Sequence, residues 1–168
     1  MGNVTNKSVC VSNCIECLRI GGVAVGFYFA YDALSADDGI KAIRLLTLTI
    51  GLLCGTSAFE GLFLAKASAC AKGYDSDSSI TNPYQKQNTL WFVASTVMSF
   101  IVFICYPDSA TANVTYLLFI NIFLGLSAIN HSFEAVCHGN LTWQNLNRPF
   151  LFIVLIVATI PIIRDVLI

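Results

Sequence analysis

The chain has 168 residues, of which 56% are hydrophobic and only 11% charged, with a formal net charge of −1. Soluble domains carry about 25% charged residues, so there is too little charge here to coat a water-soluble globule, and the mean hydropathy of +0.72 agrees. The near-neutral balance leaves no basic footprint for nucleic acid.

Five apolar runs organise the chain, over residues 18–34, 43–65, 90–106, 114–136 and 149–168. In hydrocarbon the backbone must satisfy its own polar groups, so only helices and closed barrels span. Runs this long suit helices, because a tilted barrel strand needs only about 10 residues. The expected fold class is all-α: a polytopic transmembrane helical bundle of about five spans in one domain.

Before the first run the segment MGNVTNKSVC is polar, unlike a cleavable signal peptide. N-myristoylation at Gly2 would need Ser or Thr where Asn6 stands. Cys10, Cys14 and Cys17 follow with the spacing C-x3-C-x2-C. No fourth ligand comes at a usual interval, so free thiols or palmitoylation sites are expected rather than a zinc or cluster site.

Gly22 and Gly26 lie four apart in the first run, and Gly51 and Gly55 in the second, followed by Gly61. Such spacing lets two backbones approach closely, so these are the expected helix-packing positions, within the bundle or against another subunit. Glu60 interrupts the second run, between LLCGTSAF and GLFLA. Residues 67–89 form the only sizeable polar connection, and their Asp, Ser, Gly and Pro content reads as irregular structure.

The fourth run ends in GLSAINHSFEAVCHG, which holds Asn130, His131 and Glu134. His131 and Glu134 are three apart and share a helix face. The second and fourth runs cross in the same direction, so Glu60 and this group are expected at similar depth, near the face that holds the N-terminus. Setting Glu60 against Glu134 pairs Gly51 with Gly125, Leu52 with Leu126 and Phe59 with Phe133, as duplication of a two-helix unit would. The stretch INHSFEAVCHG resembles, over residues 129–139 alone, a helix of the small ergosterol-biosynthesis scaffold proteins. The helix count differs, and no role is carried over.

An intramembrane acid is a functional candidate by default. Glu60, Asn130, His131 and Glu134 could relay protons or hold an ion, ligate a chlorophyll magnesium, or hydrogen-bond the head of a quinone, sterol or lipid. The plainer reading is that each acid is protonated or paired and pins the bundle. A di-metal bundle site needs two E-x-x-H units plus further carboxylates. One H-x-x-E exists here, so no metal is expected.

In the fifth run Pro149 reads as a first-turn proline and Pro161 as a kink. Trp91, Tyr106, Tyr116 and Trp143 lie near run ends, as an aromatic belt requires. The glycosylation sequons at Asn3, Asn6, Asn113 and Asn140 fall on both faces and cannot all be used. Lys7, Arg19, Lys66, Lys72, Lys86 and Arg148 sit on the N-terminal face, against Lys41, Arg44 and Arg164 on the other. That excess places the N-terminus on the cytoplasmic, matrix or stromal side.

No nucleophile–base constellation or phosphate loop stands out. The expected role is a non-catalytic accessory subunit of a larger membrane complex, respiratory or photosynthetic, whose partners are membrane lipids and other membrane-protein subunits. The alternatives are a small transporter or proton-conducting protein using Glu60, His131 and Glu134, and an intramembrane scaffold or enzyme of lipid or sterol metabolism. No resident cofactor is expected; lipid, quinone and chlorophyll are the candidate contacts.

Overall fold

The structure, a computed structural model, describes residues 6–75 and 82–168. Among the described residues it is all-helical, with α1 (Asn6–Ser35), α2 (Gly39–Phe63), α3 (Ala65–Ala71), α4 (Pro83–Cys105), α5 (Ala110–Cys137) and α6 (Trp143–Leu167). All but α3 are long and apolar enough to cross a membrane, α1 from Val9 onward. Even α4, the shortest of the five at 23 residues, reaches about 35 Å at 1.5 Å per residue, against a hydrocarbon core of about 30 Å. This is the construction of a multi-pass membrane protein.

Several helices outrun their apolar segments, because polar residues continue a helix once its end groups are met. Asn82 accepts from Tyr84 N at 2.9 Å, with Pro83 in the first turn, so α4 begins seven residues before the apolar run. Asp38 and Ser109 cap α2 and α5 in the same way, accepting from Lys41 N at 3.0 Å and Ala112 N at 3.2 Å. The expected irregular connection is partly helical: the alanine-rich AKASACA forms α3. Residues 76–81 of that connection lie outside the described residues.

Pro149 does not open the last helix. The helix starts at Trp143 behind Thr142, and both Pro149 and Pro161 lie inside it. Each removes one backbone donor. Near the second, Tyr31 Oη donates to Ala158 O at 2.8 Å, tying α1 to α6 one residue beyond the Val157 carbonyl that Pro161 leaves without a helix donor.

Two glycines close helices in the left-handed region, Gly73 (φ 75°) and Gly139 (φ 67°). Tyr74 N bonds Ala69 O at 2.9 Å and Asn140 N bonds Glu134 O at 3.2 Å, the reverse bonds of such an end. Gly73 also approaches Asn140 and Thr142, and Asn140 Nδ2 donates to Lys72 O at 2.8 Å. The α3 terminus is thereby stitched to the α5–α6 loop.

α2 is the central helix, packing most extensively on α1 and α4, while α5 pairs chiefly with α6. Its glycines set the α4 interface. A Cβ at Gly51 would collide with Ser99, one at Gly61 with Thr89, and one at Gly55 would press on Thr96 at 3.3 Å. Gly26 of α1 meets Thr49 of α2 in the same manner. Gly22 departs from the expectation: nothing lies within 4 Å of its Cβ position, and it opens on an apolar groove with Leu18, Val25 and Leu52.

The apolar core lies toward the ends opposite the N-terminal face, around Ile43, Leu46, Ile50, Leu117, Ile120 and Ile162, all fully buried. Tyr116 belongs to it and not to an interfacial belt. It is 6% exposed and donates to Ser95 O at 3.2 Å. Trp91 packs across the α4–α5 seam onto Phe119 and Phe123, whereas Tyr106 and Trp143 are exposed. Asn113 is fully buried and donates to Ser109 O, which removes it as a glycosylation acceptor.

Candidate functional site: a polar cleft at the N-terminal face

The N-terminal half of the bundle has a different interior. Ser12, Glu16 and Arg19 recur at helical spacing and form one inward stripe on α1, and all three are buried. Glu60 sits one turn beyond Thr56 on α2 and is 2% exposed. It accepts from Ser12 Oγ at 2.7 Å and from Arg19 Nη2 at 2.6 Å. Arg19 also pairs with Glu16 and donates Nε to Thr56 Oγ1 at 2.9 Å. From α6, Asn147 Nδ2 reaches Glu16 Oε1 at 3.3 Å and Arg148 Nη2 reaches Glu16 Oε2 at 3.4 Å. Gln144 Nε2 donates to Asn13 Oδ1 at 2.9 Å and Ser12 Oγ at 3.3 Å. Burying charge in low dielectric is costly unless it is paired and hydrogen-bonded, and Glu60 has both.

The residues singled out from sequence line one cavity of about 650 Å³. Glu60, Asn130, His131 and Glu134 all border it, together with Ser68, Lys72 and Arg148. Among the described residues no hydrogen bond joins Glu60, His131 and Glu134 to one another; each has its own partner. His131 Nδ1 donates to Asn145 Oδ1 at 2.6 Å. The direction follows because the Asn145 amide nitrogen is already used on Asn140 O (2.8 Å) and His131 O (3.3 Å). Tyr74 Oη donates to the same Asn145 oxygen at 3.4 Å. Burial, and then the Glu134 carboxylate, raise the Tyr74 phenol above its ordinary range, so it remains a donor. Glu134 pairs with His138 one turn on, at 3.1 Å.

The cavity exists because α4 and α5 touch at one end and part at the other. Phe92 and Phe123 meet edge to face and floor the cleft. Toward the N-terminal face its walls carry Gln85, Asn88 and Thr89 of α4 and Ser127 and Asn130 of α5. Asn88, Leu126 and Asn130 are exposed, so the cleft opens between the two helices. Lys72, just past α3, lies at the back. Its ammonium bonds Ser68. Burial, reinforced by the Arg148 charge, pushes the lysine down to about 8, with Glu60 opposing.

Sequence reasoning found the α2 and α5 residues because acids and an imidazole stand out in apolar runs. It passed over Glu16, Arg19, Gln144, Asn147 and Arg148, which precede the apolar runs or sit at their edges. The 12–16–19 spacing was the available signal. Of the six basic residues counted on the N-terminal face, Arg19, Lys72 and Arg148 are drawn into the polar cluster. The thiols of Cys10, Cys14 and Cys17 are exposed and free, and among the described residues no His/Cys/Asp/Glu group has the arrangement of a metal site. No protein-family model, curated protein or solved structure matches the chain.

Proposed function

We propose that this is a non-catalytic membrane protein that binds the polar head of a membrane amphiphile in the cleft between α4 and α5. One observation carries the reading: a cavity of about 650 Å³ with polar side chains on its walls lies between two membrane-crossing helices, with Asn88, Leu126 and Asn130 exposed at its rim. Asn88 follows Pro83 by five residues and Asn130 precedes Cys137 by seven, which sets these amides about 7–11 Å inside the helix ends at 1.5 Å per residue. That is the level at which lipid heads meet the hydrocarbon. A water-filled passage would need a polar continuation, but the cleft stops at Phe92 and Phe123 above a packed apolar core. Packing in a larger complex rests on the apolar exterior, which lipid would cover equally well, so the cleft carries the proposal.

The test is retention of lipid. Wild-type protein taken through a delipidating detergent wash is expected to keep an amphiphile detectable by native mass spectrometry. Ser127→Phe, which fills the cleft from the α5 wall, is expected to lose it while keeping its helical circular dichroism. Folded wild type emerging without any bound amphiphile would overturn the reading.

A further inference from the structure

We infer that the head group held in this cleft is a phosphodiester, seated against Lys72 and Arg148. The inference rests on the amphiphile reading and names its chemistry. It begins from the charges at the back of the cleft. Arg19, Lys72 and Arg148 stand there with two carboxylates, Glu16 and Glu60. Arg19 engages both carboxylates. Arg148 reaches only Glu16, at 3.4 Å, and shares it with Arg19. Lys72 forms no ion pair among the described residues, and its ammonium is met by the neutral Ser68 hydroxyl. Among these five inner groups one positive charge is left over, and Lys72 and Arg148 both border the cavity.

A desolvated cation without a counter-ion is costly, and an anion in the cleft relieves that cost. An Arg beside a Lys is suited to a phosphate group, the fork giving directed bonds and the ammonium a point charge. Asn88 and Asn130 add amide donors along the wall toward the opening. The surplus is a single charge, which matches the monoanion of a diester. Of the other acids on the cavity wall, Glu60 lies inward and Glu134 toward the exposed side beside His138. They repel a second negative charge and favour a head whose outer substituent is neutral or cationic.

The pH dependence sharpens the assignment. Lys72 faces Arg148 from α6, Glu60 from α2, and Arg19 and Glu16 from α1. Tyr74, Asp75, His131 and Glu134 complete the titratable lining. With Lys72 pushed down to about 8, it loses its proton above that pH, and phosphate binding weakens there.

The experiment is a native mass-spectrometry titration of the full chain in detergent with short-chain phosphatidylethanolamine. The comparison probes are the matching phosphatidic acid, diacylglycerol, a fatty acid and inorganic phosphate. The diester is expected to bind best. Lys72→Gln is expected to weaken it about tenfold, the size of one lost charge-assisted bond. Lys72→Arg is expected to retain binding and to abolish the loss above pH 8. Diacylglycerol binding as tightly as the diester, or Lys72→Gln binding as well as wild type, would overturn the phosphate while leaving an amphiphile cleft. Phosphatidic acid or the fatty acid binding best would overturn the diester. Inorganic phosphate matching the lipid would overturn a lipid source. Failure of every amphiphile to bind would remove the cleft function itself.

Discussion

The two ends of this bundle solve the same problem differently. Toward the α1–α2 and α4–α5 turns the interior is dry, with Ile43, Leu46, Leu117 and Ile162 fully buried. Its buried hydrophilic groups are small and neutral, such as Thr47, Ser99, Asn113 and Thr159. Toward the N-terminal face the interior holds Glu16, Arg19, Glu60 and His131. In lipid, helices gain little from hiding apolar surface against one another, so packing and interhelical hydrogen bonds must hold them. The dry end uses close fit, and the polar end uses ion pairs around a space. A close-packed core tolerates no vacancy, whereas an ionic frame can surround one. The cleft accordingly lies at the ionic end.

This contrast can be broken from either side. The largest effect is expected from Arg19→Met, which leaves two buried carboxylates without their shared cation and costs about 3–5 kcal/mol. Unfolding with added SDS in mixed micelles reads the loss, and a change below 1 kcal/mol would dissolve the idea of an ionic frame. At the dry end Leu117→Ala is expected to cost about 2–5 kcal/mol by opening a cavity, with lipid retention in the cleft unchanged. Next in size is Gly26→Leu, which drives a side chain into Thr49 and costs about 1–3 kcal/mol. At its counterpart Gly22 a Cβ meets nothing within 4 Å and the position opens on an apolar groove, so Gly22→Leu should change stability by less than about 0.5 kcal/mol.

The subtlest test is pH. Lys72 in the folded chain sits at about 8, below its ordinary 10.5. Between those values the unfolded chain binds a proton that the folded chain does not, so stability of the ligand-free protein rises with pH across the window. The rise should disappear in Lys72→Gln. Ligand affinity, in contrast, falls over the same range, so opposite slopes from one side chain are the expected signature.

The five spans were legible because hydrophobicity accumulates over twenty residues and needs no neighbour to be read. Glu60, His131 and Glu134 were visible because they violate that pattern. Arg19 and Arg148 were not, because a basic residue at the edge of an apolar run looks the same whether it turns to water or to a buried acid on another helix. Tyr116 was read as interfacial on position alone, but its partner is the Ser95 carbonyl on the neighbouring helix, 21 residues back in the chain and beyond any local cue. Pro149 misled for a related reason: the helix had already begun at Trp143, in polar sequence. Gly22 and Gly26 share one motif, yet only Gly26 meets a neighbour, since spacing cannot say which face a partner helix covers.

The ion network also has a direction in time. Glu16 and Arg19 lie within one turn of each other on α1, so α1 carries its own counter-charge before α2 is made. Once Lys72 follows α3, the members of this cluster already made are Glu16, Glu60, Arg19 and Lys72, two of each sign. Arg148 arrives last, on α6. Synthesis toward the C-terminus thus brings a balanced part of the cluster to the bilayer first, and its third cation joins only as the α5–α6 pair completes the chamber that houses it.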